Sequence, residues 1–149
     1  MRIFHSPHSD PMLLDGWAGC NALYKVLLEF LASDRASLFL HAKQDGDPAP
    51  YDEFLAGLRI YKADGPLMLR LTSDRWLELA GSCENLKTYF SHFCFEENED
   101  SGHHHPDFGD HMARGTMRLI IEVDDSCEPQ QESAGVWKAL SAFVPIVHQ

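Results

Sequence analysis

The sequence predicts a single α+β domain spanning residues 1–149, with an antiparallel sheet of about four to six strands and two or three helices packed mainly on one face. Three observations predict this class. The chain has the length of one ordinary domain. Apolar residues make up 44% of it, which is enough for one core. Short alternating runs typical of strands are interspersed with stretches in which apolar residues recur every three or four positions.

The N-terminal part predicts a strand, a loop and a helix. Arg2 to His5 alternates apolar and polar residues, which favours a short edge strand. Residues 6–11 contain two prolines, which favour a loop. From Trp17 onward apolar residues recur at helical spacing, and Asp15 precedes them as a candidate N-cap. The helical positions are Trp17, Cys20, Leu23, Tyr24, Leu27, Leu28 and Leu31.

Residues 36–80 predict a series of strands. Ala36 to Ala42 reads as a strand, residues 43–50 as a loop, and Tyr51 to Leu58 as a helical turn. The next two strands, Leu58–Lys62 and Leu67–Thr72, flank the turn signal Asp64-Gly65 and predict a hairpin. A third strand, Trp76 to Ala80, would extend it into an antiparallel meander.

Two more helices and a strand are expected in the C-terminal half. Ser82 is a candidate N-cap for a helix over Glu84 to Phe95, whose aromatic face predicts core packing. A strand is expected over Met117 to Val123. The last helix, Glu132 to Phe143, would end before Pro145.

The charge of the chain disfavours several classes of partner. Asp and Glu number 23 against 12 Lys and Arg, for a formal net charge of −11. Such a surface repels nucleic acid and anionic membranes and attracts basic proteins. No run approaches the ~20 apolar residues of a membrane span, and Met-Arg-Ile-Phe-His lacks the apolar core of a secretion signal. A cytoplasmic protein with reduced thiols is therefore expected, since its four cysteines form no CxxC pair.

An acidic and histidine-rich loop, Glu96 to His111, is the one constellation that suggests chemistry. His103 and His105 would project to one side of an extended backbone, and Asp107 and His111 could complete a metal site. A metal-dependent hydrolase is therefore an alternative function. The chain has no nucleophile elbow, phosphate-binding glycine loop or zinc-deaminase motif, so neither an enzymatic activity nor a cofactor is the leading expectation.

The stretch from Trp76 to Asp124 resembles a known family. It has a strand ending in Gly81, a helix with Glu84 and Leu86 at its start, the loop Gly102-His103-x-His105, and an apolar strand over 115–122. Together these features resemble the small immunity proteins of bacterial polymorphic toxin systems, and the type numbered thirty-two most closely.

The resemblance implies a non-enzymatic protein that neutralises a toxin, which physical reasoning suggests is basic. Gly102, His103 and His105 would then fix the loop by hydrogen bonds. A regulatory protein-interaction domain is a further alternative, and the sequence gives no oligomeric state. The candidate partner-binding residues are Glu96, Glu97, Glu99, Asp100, Asp107, Phe108 and Asp110.

Overall fold

The computed structural model describes residues 1–96, 101–106 and 109–124. The α+β class is as predicted, and the strands lie in two mixed sheets of five and four strands rather than in one antiparallel sheet. In chain order the elements are β1 (Arg2–Ser6), β2 (Ser9–Asp15), α1 (Trp17–Ala32), β3 (Ser37–His41), β4 (Glu53–Phe54), β5 (Gly57–Lys62), β6 (Met68–Leu71), β7 (Trp76–Gly81), α2 (Cys83–Phe90), a 3₁₀ turn (Ser91–Phe93), β8 (Ser101–His104) and β9 (Ile120–Asp124).

The first sheet has the strand order β4-β1-β2-β9-β8. β1 is a strand as predicted but does not lie at the edge, because it pairs with β2 and β4. The loop expected over residues 6–11 is also wrong, since β2 already begins at Ser9. Pro11 is tolerated there because the β1 register shifts between Phe4 and Ser6, and pairing with β9 starts only at Met12.

The second sheet has the strand order β3-β5-β7-β6. The expected β5–β6 hairpin and three-stranded meander are wrong: β5 pairs in parallel with β7, and β6 pairs with β7 from the other side. Burial explains the order. β7 contributes Leu77 and Leu79, which are both fully buried, whereas β6 carries the exposed Arg70 and takes an outer position.

A short segment around β4 joins the two sheets. The helical turn expected from Tyr51 to Leu58 is wrong, because the backbone is extended there. The Leu55 N–H donates to the Ile3 carbonyl in the first sheet, at 2.8 Å. Gly57 then opens β5, where a Cβ would lie only 2.1 Å from the Leu40 carbonyl oxygen, so this junction excludes any side chain.

The helix predictions are largely confirmed. α1 buries Cys20, Leu23 and Leu27, as the periodicity predicted, and also Phe30, which was not among the predicted positions. Its N-cap is Gly16, and Asp15 accepts a hydrogen bond from the Gly16 N–H, so Asp15 is not the cap.

The second helix is shorter than expected. Ser82 caps α2 by accepting from the Asn85 N–H at 3.2 Å, as predicted. The α-helix ends at Phe90 and continues as the 3₁₀ turn, and its aromatic face is buried in the core.

The helices pack between elements of both sheets. α1 contacts β2, β9 and α2, while α2 also contacts β7. The last strand begins later than expected, at Ile120. The helix predicted over 132–143 lies outside the described residues. Neither helix in the described part of the chain is long and apolar enough to cross a membrane.

Candidate partner-binding surface

The structure describes only part of the predicted binding loop. Glu96 and Asp110 are exposed, whereas five predicted contact residues lie outside the described ranges. Those five are Glu97, Glu99, Asp100, Asp107 and Phe108. Four of the carboxylates fall within residues 96–100, which lie between Phe95 and the start of β8 in the sequence. We call residues 96–100 the acidic connection.

The acidic connection begins at a firmly held backbone position. The side-chain amide of Asn21 in α1 donates to the Phe95 carbonyl at 2.9 Å, and its oxygen accepts from the Phe95 N–H at 3.2 Å. Phe95 lies beyond the 3₁₀ turn, so no helical hydrogen bond pairs its N–H and carbonyl groups. The single amide of Asn21 pairs both of them. The Phe95 ring itself is buried.

The other end of the acidic connection is fixed by β8 and His104. β8 pairs antiparallel with β9, and the His104 ring stacks on Phe95 with ring centroids 4.2 Å apart. The Nδ1 atom of His104 lies 2.7 Å from the His92 carbonyl oxygen. Because a carbonyl only accepts, Nδ1 carries the proton and donates. Phe95 is therefore held by α1 through Asn21 and contacts the end of β8 through His104.

The other two histidines of this cluster face outward together. His103 and His105 are exposed, and their ring centroids lie 5.0 Å apart, which confirms that they project to the same side. The sequence assigned the loop-structuring role to Gly102, His103 and His105, whereas the histidine bound to the protein core is His104. Its partners are distant in sequence or on another element, so strand alternation alone could not identify it.

The described residues contain no group of three or more His, Cys, Asp or Glu side chains that could hold a metal ion. His103, His105 and the half-buried His111 thus do not form a three-ligand site in this part of the chain. Asp107, the remaining candidate ligand, lies outside it.

The outer face of the first sheet adds further negative charge beside β8. Glu122 of β9 lies directly across from His103, and Asp124 lies on the same face of β9. Partial burial raises the pKa of the Tyr51 phenol, and the negative charges of Glu122 in β9 and Asp10 in β2 raise it further. Sequence reasoning missed these acids, although Glu122 alternates with the buried Ile121 and Val123 in a way that predicts an outward side chain.

We call Asp10, Glu122 and Asp124 the sheet acids. Glu122 and Asp124 share a face of β9, which pairs in parallel with β2 from Met12 onward, and Asp10 precedes that paired stretch of β2. The adjacent strand β8 begins where the acidic connection ends. The first residue of β8, Ser101, pairs with Asp124, which is one of the sheet acids.

Among the described residues Cys20 is buried, while Cys83 and Cys94 are exposed free thiols. No protein-family model, no curated protein and no solved structure matches this chain.

Proposed function

We propose that this chain is a non-enzymatic immunity-type protein that binds and neutralises a basic toxin domain in the bacterial cytoplasm through an acidic surface. The supporting observation is that Phe95, which directly precedes the acidic connection, is held from two sides. Asn21 bonds its backbone, and His104, from the strand that follows the connection, stacks on its ring. Specific contacts thus hold the described residues on both sides of this charged segment, which suits a surface for protein recognition.

The distribution of charge supports the same function. The acidic connection carries four carboxylates within five residues, and the sheet acids Glu122 and Asp124 lie on β9, the strand that pairs with β8. Together with a net charge of −11, this arrangement favours rapid association with a basic domain and disfavours nucleic acid and anionic membranes as partners. The partner is a cognate toxin, and no cofactor takes part.

The first experiment is a growth-rescue assay. The open reading frame adjacent to this one is expressed in a naive bacterial host with and without this chain, and survival is compared. Immunity predicts that the neighbour is toxic alone and harmless in the presence of this chain. The proposal would be contradicted if the neighbouring protein were toxic and this chain neither restored growth nor bound it. If the neighbouring protein were harmless but bound this chain, the regulatory interaction domain would be favoured.

Charge variants then locate the surface. Replacing Glu97, Glu99 and Asp100 by alanine should slow association with the toxin and flatten its dependence on salt, while the melting temperature changes little. A matched control removes three exposed acids elsewhere, namely Glu29, Asp34 and Asp64. Equal loss of binding in both triple variants would show that net charge alone matters and that the acidic connection is not the contact.

The metal-dependent hydrolase is the second candidate, and the exposed pair of His103 and His105 rings is the observation that favours it. That function requires stoichiometric metal that survives dialysis and disappears in the His103→Ala, His105→Ala double variant. Metal-free protein that still rescues growth would exclude it.

A further inference from the structure

The outer edge of β3 has backbone groups that no described residue pairs with. On its other side β3 pairs with β5, and the Ala42 N–H donates to Ala56 while Ala36 accepts from the Lys62 N–H. These bonds identify the alternate residues 36, 38, 40 and 42 as those bonded to β5. Ser37, Phe39 and His41 therefore direct their N–H and carbonyl groups away from the sheet, and we call these three residues the β3 edge.

Of the other sheet edges in the described chain, that of β6 is covered and that of β4 is short. The outer side of β6 is closed by residues 111–117: the Ala113 N–H donates to Leu67, and the Met117 N–H donates to Leu69. β4, at the end of the first sheet, has only two residues. Proteins commonly protect edge strands by such coverage, by shortness, or by charged residues.

Coverage reaches only the end of the β3 edge, where the Lys43 N–H donates to the Met1 carbonyl, and the other protections are absent from residues 36–42. Residues 36–42 contain no Lys, Arg, Asp, Glu or Pro, and the pairing of β3 with β5 runs through all five residues without a bulge. Phe39 is the most exposed large apolar residue in the described chain, at 37%. A five-residue strand of this composition favours the addition of another strand.

The two faces of β3 specify what strand would fit beside it. Leu38 and Leu40 are buried on the inner face, so a neighbouring strand must continue that face with apolar side chains. Phe39 and His41 lie on the outer face, where Phe39 makes edge-to-face contacts with Tyr61 and His41 contacts Trp76. The added strand should therefore present aromatic or neutral polar groups outward. β3 itself has this alternating pattern.

We infer that the β3 edge pairs antiparallel with the β3 edge of a second copy, which joins the two four-stranded sheets into one sheet of a symmetric dimer. Centred on Phe39, the pairing places Ser37 of each copy opposite His41 of the other, so no like charges meet. The three edge residues of each copy would form about six backbone hydrogen bonds across the axis.

Salt dependence separates this dimer from the toxin complex. Each copy carries a net charge of −11, so the two copies repel one another over long range. Added salt screens that repulsion and should strengthen the dimer, whereas it should weaken binding to a basic toxin. The dimer does not depend on the proposed function, because it uses the second sheet and not the acidic surface.

Sedimentation of the full chain, from low micromolar to near-millimolar concentration, tests the inference. The mass should double with concentration, and the transition should move to lower concentration with added salt. Phe39→Lys places two ammonium groups opposite one another and should leave a monomer, while Tyr61→Lys introduces the same charge on the same face of the inner strand β5 and should leave the dimer intact. Ser37→Pro, which removes one outward N–H, provides a second edge variant.

Amide hydrogen exchange gives an independent measurement. The amides of Ser37, Phe39 and His41 should be protected only at concentrations at which the dimer forms, whereas those of Leu38 and Leu40 should be protected throughout. A monomer at every concentration would overturn the inference. So would concentration-independent protection of the β3 edge, which would mean that the same chain covers it, or a dimer that survives both Phe39→Lys and Ser37→Pro.

Discussion

The imidazole ring of His104 lies flat on the phenyl ring of Phe95, with the two planes only 5° apart and the centroids 4.2 Å apart. This contact joins β8 to the backbone that follows the 3₁₀ turn. Since the Nδ1 proton of His104 is donated to the His92 carbonyl at 2.7 Å, the ring is fixed both in position and in tautomer.

Replacing His104 by alanine should lower the free energy of unfolding by about 1–2 kcal/mol, because it removes an aromatic stack and leaves the His92 carbonyl without this donor. His104→Phe should recover part of the loss by restoring the stack alone. Urea denaturation measures both. The control is His103→Ala, which should change stability by less than about 0.5 kcal/mol because His103 is exposed; equal losses for His103 and His104 would contradict the anchoring role.

Asn21 should contribute at least as much to the free energy of unfolding as His104, because its single side chain bonds two backbone groups of Phe95. Asn21→Ala should cost about 1–3 kcal/mol of unfolding free energy. Asn21→Asp should lower the free energy of unfolding more than a neutral acceptor at this position would. Its carboxylate accepts from the Phe95 N–H, but it faces the Phe95 carbonyl with no proton to donate.

The matched control for Asn21 is Asn85→Ala. The Asn85 side chain donates one exposed hydrogen bond, to the Gly65 carbonyl, so its loss should cost less. Thermal and urea unfolding of the three variants can be compared directly. If Asn85→Ala lowered the free energy of unfolding as much as Asn21→Ala, the two hydrogen bonds to Phe95 would not stabilise the protein more than one exposed hydrogen bond does.

Local patterns predicted the elements of this fold better than their pairing. The helical spacing from Trp17 and the Ser82 cap depend on neighbours within one or two turns, and both are confirmed. The β5–β6 hairpin depended on the local turn signal Asp64-Gly65, but β7 lies between the two strands because its apolar side chains are better buried there. Strand order is decided by burial across the whole sheet, which short sequence windows do not contain.

The candidate surface shows the same difference between local patterns, which the sequence predicts, and long-range contacts, which it does not. Strand alternation predicted that His103 and His105 share one side, and the 5.0 Å separation of their rings confirms it. The anchors Asn21 and Phe95 are 74 residues apart in sequence, so no local pattern relates them. The sequence therefore predicted the shared side of His103 and His105 but not the contacts that hold Phe95.

Tyr89→Phe should stabilise the protein. The Tyr89 hydroxyl is fully buried and has no hydrogen-bond partner among the described residues, and this burial raises the pKa of the phenol. Removing a buried hydroxyl without a partner recovers its desolvation cost, so we expect a gain of about 1 kcal/mol in unfolding free energy. The ring and its tilted contact with Phe93 remain.

The control for Tyr89 is Tyr61→Phe in β5. Tyr61 is only half-buried, so this substitution should change the free energy of unfolding by less than about 0.5 kcal/mol. Urea denaturation at neutral pH measures both variants. A loss of stability in Tyr89→Phe would indicate that the hydroxyl is satisfied in solution.

Asp74 should contribute stability that is lost in acid. Its carboxylate accepts hydrogen bonds from the Thr72 hydroxyl and from the Arg59 guanidinium at 2.6 Å, and these donors hold its pKa below the ordinary value of 3.8. Because the folded pKa lies below the unfolded one, the stabilisation is present above about pH 4 and disappears as the pH falls through the folded pKa. The same contact holds Arg59 with its guanidinium carbon 4.5 Å from the centroid of the Trp76 ring.

Asp74→Asn should therefore destabilise the protein at pH 7, and the difference from the parent should shrink towards zero as the pH is lowered below 3.8. Urea denaturation at neutral and acid pH measures the difference. Asp64→Asn is the control, since the described structure shows no hydrogen bond or ion pair for the exposed Asp64 carboxylate. A destabilisation by Asp74→Asn that stayed constant down to low pH would mean that the loss comes from the neutral contacts of the side chain, and that the charge on Asp74 does not stabilise the Arg59–Trp76 pair.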